Sequence, residues 1–302
     1  MTTPKIWVEA ALNGPWTRAR QPGMPVGVNE IVADGLACAQ EGAAIIHLHA
    51  YDEATGRQKD DWEIYARIIE GIRAKCDAIV YPTIPIAGSG FASAATSQSG
   101  RFAHLGQLAR RGLVEWGVVD PGSVNLSLAR DVASGQPGFV YSNPEEHVRE
   151  GLAICAAHGV RPSYAIYEPG FTRLGAALAK AHPGLPTPIY RLMFSDAFLF
   201  GFPPTAYGLQ AHLSLLAECA PDAPVMIAGL GVDIGGLVEA AVARGIHLRT
   251  GLEDVPFGEM RGNATLVEAL CARLRAAGGE AAAAADVRQT LADVDAATKQ
   301  RG

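Results

Sequence analysis

Short apolar runs alternate with longer stretches of helical spacing along nearly the whole chain. Short runs rich in β-branched residues predict buried strands, and apolar residues that recur every three or four positions predict amphipathic helices. Strands are predicted at 6–12, 43–50, 78–84, 115–119, 164–167, 189–194, 224–228 and 246–250. Helices are predicted at 29–40, 61–75, 102–111, 144–158, 172–181, 205–219, 235–243 and 263–277. This alternation predicts an α/β fold, a (β/α)8 TIM barrel rather than an open doubly wound sheet.

Two segments stand apart from the alternation. The Ala-rich tail from about residue 279 to 302 predicts one more helix, packed on the outside of the barrel or against a neighbouring subunit. The small, polar stretch 87–100 predicts a mobile loop over one end of the fold. Because there is no internal repeat and no shift in composition, a single domain is predicted over residues 1–302.

Composition narrows the class of protein. The formal net charge is −6 and the Lys and Arg residues are dispersed, which argues against a nucleic-acid partner. No apolar run reaches the length of a membrane span, and residues 1–5 lead straight into a predicted strand rather than a secretory signal. Five single cysteines without close pairs indicate reduced thiols, so a cytoplasmic protein is expected.

The second predicted strand carries two histidines, His47 and His49. Side chains at i and i+2 of a strand point to the same face, so the two imidazoles project together. A pair of imidazoles at one strand end suits Zn²⁺ or a similar divalent metal. The alternative is two unrelated core histidines, each with its own local hydrogen bond.

The end of the eighth predicted strand is the second candidate stretch. If the backbone stays extended, Arg249, Gly251 and Glu253 share one face. Active sites of such barrels lie at the C-terminal ends of the strands, so Glu253 could complete a His₂Glu metal set with open positions. Asp254 could then serve as a base, and Arg249 could hold a carboxylate with its two-pronged guanidinium. The alternative is an ordinary Arg–Asp pair at the surface.

The stretch after the seventh predicted strand contains Gly229 and Gly231. Barrels often bind phosphate at the loops after strands seven and eight, where free backbone N–H groups point outward. A phosphate-bearing cofactor could bind here, although a tight turn without a ligand explains the glycines equally well. The stretch lacks the full glycine pattern of a nicotinamide site.

Three motifs together resemble the β-keto acid cleavage enzymes, whose founding member is 3-keto-5-aminohexanoate cleavage enzyme. The motifs are Ala-Leu-Asn-Gly at 11–14, Gly-Ala-Ala-Ile-Ile-His-Leu-His at 42–49 and His-Leu-Arg-Thr-Gly-Leu-Glu-Asp at 247–254. Gly-Ser-Val-Asn at 122–125 is a further match. The resemblance implies a zinc-dependent (β/α)8 barrel, a homo-oligomer such as a dimer or tetramer. It also implies condensation of a β-keto acid with acetyl-CoA to give an acyl-CoA and acetoacetate.

Residue roles follow from the resemblance. The zinc ligands fall on His47, His49 and Glu253, the acid/base on Asp254 and the substrate-binding arginine on Arg249. The third strand matches only in part and leaves Thr83 as the candidate hydroxyl. The chain departs from the family at Tyr51, where an arginine is usual, and at Ala165, where a glutamate is usual. These departures alter the pocket wall and leave the metal set intact.

Two other functions remain open at this stage. A zinc hydrolase on a barrel would use the same metal to activate water, although the sequence offers no further His and Asp set for a hydrolytic base. A barrel that only binds a keto acid or a CoA ester would keep the fold without turnover. Turnover by water without acetyl-CoA would favour the first alternative, and binding without conversion would favour the second.

Overall fold

A computed structural model describes residues 3–86 and 100–301. Its main sheet has eight parallel strands, which are β1 Val8–Ala11, β2 Ile45–Leu48, β3 Ile79–Pro82, β4 Trp116–Val118, β5 Arg161–Ile166, β6 Ile189–Phe194, β7 Val225–Gly229 and β8 His247–Thr250. Their order is β3-β2-β1-β8-β7-β6-β5-β4, so β1 pairs with β8 and the sheet curls back on itself. Only β3 and β4 lie side by side without strand pairing in the described ranges. The sheet is a nearly closed barrel with helices between its strands, which confirms the predicted TIM barrel.

Ten α-helices accompany the strands in the described residues. They are α1 Val28–Gln40, α2 Trp62–Arg73, α3 Ala103–Arg110, α4 Ala129–Ala133, α5 Glu145–His158, α6 Pro169–Lys180, α7 Ala206–Cys219, α8 Val238–Val242, α9 Asn263–Ala276 and α10 Ala284–Arg301. A 3₁₀ turn, Gly235–Leu237, leads into α8. None of the described helices is both long enough and apolar enough to cross a membrane.

Several short elements were not predicted from the sequence. They are α4, the hairpin of Tyr51–Asp52 with Arg57–Gln58, the hairpin of Val124–Leu126 with Phe139–Tyr141, and the parallel pairing of Lys5–Ile6 with Glu280–Ala281. Elements of two to five residues are too short to show a period in their apolar positions. Of the mobile loop predicted at 87–100, residues 87–99 lie outside the described residues.

The packing of α1 on β2 explains which way the β2 side chains face. A Cβ at Gly35 of α1 would lie 2.8 Å from Ile72 Cδ1 and 3.5 Å from Ile46 Cγ2. Glycine at this position therefore lets α1 approach the outer face of β2, to which Ile46 belongs. Because side chains alternate along a strand, His47 faces the barrel interior.

The C-terminal helix α10 joins the two strands at the open seam. Arg288 donates to Glu115, directly before β4, at 2.7 Å and to Asp77, shortly before β3, at 2.8 Å. On the buried side of α10, Val287 and Leu291 pack into the core. The predicted tail helix is thus present and lies across the N-terminal end of the barrel.

Replacing Arg288 by alanine is expected to lower the free energy of unfolding by about 1–3 kcal/mol, because four charged hydrogen bonds at the seam are lost. The exposed ion pair between Lys5 and Asp286, the latter also on α10, provides the control. Lys5→Ala should lower the free energy of unfolding clearly less than Arg288→Ala, because water screens an exposed pair. Urea unfolding followed by circular dichroism measures both variants. Equal losses in the free energy of unfolding would show that the contacts of Arg288 stabilise the protein no more than an exposed ion pair does.

Candidate metal centre and cavity

Three side chains predicted to bind a metal meet at the C-terminal end of the barrel. Their ligand atoms in His47, His49 and Glu253 all lie within 4.8 Å of one another. His47 Nε2 is 3.4 Å from Glu253 Oε2, and His49 Nε2 is 3.5 Å from Glu253 Oε1. The two histidines are almost completely buried and Glu253 is 12% exposed. This arrangement has the donor types and the closeness that a divalent metal requires.

The hydrogen bonds of the cluster leave metal-facing atoms without partners. His49 Nδ1 lies 2.9 Å from Gln58 Oε1, an acceptor that assigns the ring proton to Nδ1. The lone pair of His49 Nε2 then points to the centre, where this atom and Glu253 Oε2 are buried without a hydrogen-bond partner among the described residues. Buried polar atoms without partners are costly, so a cation between them fits the residues present.

Gln58 offers a test of this arrangement. Replacing it by alanine is expected to weaken zinc binding roughly 10–100-fold, because the His49 ring loses the partner that orients it. Gln58→Glu keeps the acceptor for His49 but loses the donor to Asp60, so it should retain more zinc affinity than Gln58→Ala and less than the wild type. Zinc titration against a competing chelator measures both variants, and an unchanged affinity in Gln58→Ala would contradict the orienting role.

The loop after β1 holds the metal-facing residues in place. Asn13 Oδ1 accepts from the backbone N–H of His49 at 2.9 Å, and Asn13 Nδ2 donates to the His49 carbonyl at 3.1 Å. A Cβ at Gly14 would lie 2.6 Å from Glu253 Cγ, and the backbone there has φ +67°. Trp16 Nε1 donates to the carbonyl of Glu253 at 2.9 Å. Asn13 of the first motif therefore fixes the backbone of His49, and Gly14 leaves room for the side chain of Glu253.

Glu253 reaches the centre by a turn and not by the extended backbone expected from the sequence. At Gly251 φ is +149°, and a Cβ there would lie 2.0 Å from the Ala11 carbonyl oxygen. Only glycine allows the chain to turn so close to β1. Asp254 N–H then donates to Gly251 O at 2.9 Å, which closes the turn. The expectation that Arg249, Gly251 and Glu253 share an extended face was therefore wrong, although both acidic side chains still meet Arg249.

Arg249 is the centre of a buried ionic network. Its Nε and Nη2 donate to the two oxygens of Asp254 at 2.8 and 2.7 Å. Nη2 also lies 3.0 Å from Glu253 Oε1, and Nη1 donates to Glu9 at 3.1 Å. Three carboxylates thus surround one guanidinium, and this excess of negative charge also favours a cation at the cluster. The substrate-binding role of Arg249 stays a prediction, because its fork is filled by Asp254.

Burial and the network set the protonation of these groups. Burial lowers the pKa of His47 well below its ordinary value, which keeps the ring neutral and able to bind a metal. Burial alone would raise the pKa of Glu253, but Arg249 and the two histidines hold it well below its usual range. Burial raises the pKa of Asp254, against the opposing effect of Arg249. Glu253 is therefore the carboxylate best suited to bind a cation.

A cavity opens beside the cluster. Its polar lining comes from His47, His49, Glu253, Thr83, Asp120 and Arg191, and most of the remaining wall is apolar. Thr83 is buried, and within the described residues its hydroxyl makes only a long 3.5 Å contact with the Ile84 carbonyl. Asp254 does not line this cavity among the described residues, because its carboxylate is turned to Arg249. The catalytic roles of Thr83 and Asp254 stay predictions.

The sequence reasoning missed the polar residues on the far strands. Glu9 on β1 and Arg191 on β6 are buried in the barrel interior. Asp120, after β4, accepts from the Ala165 N–H and from the Tyr141 hydroxyl, both at 2.7 Å. A carboxylate therefore lies next to Ala165, the position where the resemblance led us to expect a glutamate. Single buried charges in apolar strands carry no spacing signal, so no pattern pointed to them.

The two glycines predicted to bind a phosphate lie in a tight turn after β7. A Cβ at Gly229 would lie 2.3 Å from the Val232 carbonyl oxygen, and Gly231 has φ +70°. The backbone N–H groups of Leu230 and Val232 donate to protein carbonyls. The turn itself explains both glycines, and their cofactor role stays a prediction.

Comparison with known proteins gives relatives of similar length. The 3-oxoadipate:acetyl-CoA acetyltransferase of Cupriavidus necator is 27% identical over 256 residues, which cover 84% of this chain and 81% of the relative. The 3-keto-5-aminohexanoate cleavage enzyme of Fusobacterium nucleatum is 27% identical over 295 residues, 95% of this chain and 97% of the relative.

Among solved structures, apo ObcA superposes with a TM-score of 0.68 at 19% identity. The match covers 91% of this chain but only 66% of ObcA, and it supports the fold alone. A sequence model described as beta-keto acid cleavage enzyme matches residues 5–292. This match spans nearly the whole chain and includes the cluster of His47, His49 and Glu253. The chain therefore belongs to the beta-keto acid cleavage enzyme family.

Proposed function

We propose that the protein cleaves a β-keto acid with acetyl-CoA as co-substrate and zinc as cofactor. The observation that carries the proposal is the buried cluster of His47, His49 and Glu253 beside a cavity at the C-terminal end of the barrel. Membership of the family and the names of the two curated relatives support the reaction class. The products would be an acyl-CoA and acetoacetate.

The reaction exchanges two acyl groups. C2 of the β-keto acid forms a bond to the carbonyl carbon of the acetyl group, and the thioester bond of acetyl-CoA breaks. The C2–C3 bond then breaks, and the acyl group that contains C3 passes to the CoA sulfur. A divalent metal held by the two histidines and Glu253 would polarise the 3-keto group as a Lewis acid. Asp254 is proposed to take a proton from C2 and to return one at the end, which requires its carboxylate to turn from Arg249 towards the cavity. Arg249 would keep Glu253 in position. Thr83 is proposed to donate to a substrate oxygen.

The cellular setting is part of the same proposal. All five cysteines are free, which suits a reducing compartment such as the cytoplasm. A homo-oligomer belongs to the same proposal, because the resemblance described in the sequence analysis implies one. A CoA phosphate at the turn of Gly229 and Gly231 would fit the usual place of phosphates in barrels.

The test is a panel of β-keto acids incubated with zinc-loaded protein and acetyl-CoA. Acetoacetate and the matching acyl-CoA should form together in equal amounts, and neither should form when acetyl-CoA is omitted. Consumption of the keto acid without acetyl-CoA would indicate the hydrolase instead. Binding of the keto acids with no conversion would indicate a barrel that has lost turnover.

A further inference from the structure

Arg191 is a buried arginine whose guanidinium donates hydrogen bonds from only one of its three nitrogens among the described residues. Its Nη1 donates to the Tyr81 hydroxyl at 2.9 Å and to Ser163 Oγ at 2.8 Å, and the same nitrogen is 3.9 Å from Glu9 Oε1. Nε is buried with no partner, and Nη2 makes no hydrogen bond within residues 3–86 and 100–301. The side chain is only 4% exposed, yet it lines the cavity. One edge of this permanently charged guanidinium therefore lies beside the cavity without a hydrogen-bond partner among the described residues.

Arg249 shows what that edge can bind. Its own Nε and Nη2 form two parallel hydrogen bonds to the carboxylate of Asp254. The Nε–Nη2 edge of Arg191 has the same chemistry, but it has no hydrogen-bond partner among the described residues. A planar fork of two N–H donors matches a carboxylate in both charge and shape. Leaving such a buried donor unpaired is costly, which indicates that a ligand supplies the missing acceptor.

The surroundings restrict the ligand further. Arg191 is the only arginine or lysine that lines the cavity in the described part of the chain. The nearby carboxylate of Asp120 already accepts from Ala165 and Tyr141, so its two oxygens are in use. Tyr81, whose hydroxyl accepts from Arg191 Nη1, packs against the His47 ring with the ring centroids 4.7 Å apart. The fork therefore lies on the same side of the barrel interior as the metal centre.

We propose that Arg191, and not Arg249, binds the carboxylate of the β-keto acid. The identity of the ligand rests on the proposed function, whereas the carboxylate preference of Arg191 does not. With the carboxylate at Arg191 and the 3-keto group near the cluster, the variable tail extends along the apolar wall of Trp16, Ile84, Leu126 and Leu230. The preferred substrates are then β-keto acids with an uncharged, apolar tail.

The experiment compares acetoacetate with its neutral methyl ester as ligands of the zinc-loaded protein, by calorimetry and without acetyl-CoA. Wild-type protein should bind the acid roughly 100-fold more tightly than the ester. Arg191→Met should abolish this preference at unchanged zinc content. Arg191→Lys keeps the charge beside Glu9 but lacks the fork, so it should lose most of the preference. The lysine variant also answers the question if the methionine variant does not fold.

Arg161→Lys is the matched control. Arg161 is also buried, but its fork is filled by Asp295 at the opposite end of the barrel, so the acid-to-ester preference should not change. A full preference in both Arg191 variants would overturn the proposal, as would wild-type protein that binds acid and ester equally. Failure of the proposed function shows differently: no acyl-CoA and no acetoacetate form when the other β-keto acids of the panel are incubated with acetyl-CoA, while acetoacetate is still bound through Arg191.

Discussion

Asp254→Asn is expected to lower kcat roughly 10²–10⁴-fold while zinc stays bound. Asparagine has the shape of aspartate and can still accept from Arg249, but it cannot take up a proton. Asp254 is not among the three residues whose atoms converge on the metal centre, so the metal content should remain that of the wild type. The measurement is turnover with acetyl-CoA, paired with elemental analysis of the same preparation.

The control for this change is Asp34→Asn. Asp34 is a half-buried carboxylate of α1 that accepts from Asn263, away from the cavity. It undergoes the same chemical substitution, so its effect on kcat measures the loss of a buried charge without the loss of a proton carrier. An Asp254→Asn protein with normal zinc and full activity would show that another residue moves the proton. A protein with little zinc would show that Asp254 supports the metal centre instead.

The barrel was predictable from the sequence because it depends on patterns repeated eight times. Each buried parallel strand is a short apolar run and each outer helix has one apolar face, so single errors at element ends do not change the fold. The seam between β3 and β4 was not predictable. It depends on Arg288 of α10 reaching Asp77 and Glu115, a contact between residues far apart in the chain that leaves no local pattern.

The cluster of His47, His49 and Glu253 was predictable for a similar reason. His47 and His49 share a strand face, which is a local fact of the sequence, and the resemblance placed Glu253 beside them. The path of the chain to Glu253 was not predictable from periodicity. Gly251 turns against Ala11, and this turn depends on the position of β1, which the local sequence does not show.

The remainder of the cavity was beyond sequence reasoning because it is made of single residues from separate strands. Glu9, Tyr81 and Arg191 lie on β1, β3 and β6, and they become neighbours only when the barrel closes. Arg191 sits within an apolar strand, where an isolated charge resembles an ordinary interruption. It is distinguished from a structural arginine by its hydrogen bonds: Nη1 donates to two hydroxyl groups, whereas Nε has no partner in the part of the chain that the structure describes.

Glu253→Gln is expected to weaken zinc binding by at least the roughly 10–100-fold that loss of a supporting contact costs, because an amide oxygen is a poorer ligand than a carboxylate. Turnover should fall with zinc occupancy and recover in part when zinc is added in excess. Glu259→Gln, in the same loop but paired with Arg261, is the control that should leave zinc affinity unchanged.

Thermal unfolding separates metal binding from the ion pairs of Glu253. Without zinc, Glu253→Gln should already be less stable than the wild type, because Arg249 stabilises the charged form of Glu253 and that ion pair is lost. Zinc at 1,000 times its Kd should stabilise the wild type by about 4 kcal/mol and the variant by clearly less at the same concentration. Equal stabilisation of both proteins would remove Glu253 from the metal set and leave the two histidines as its only supported members.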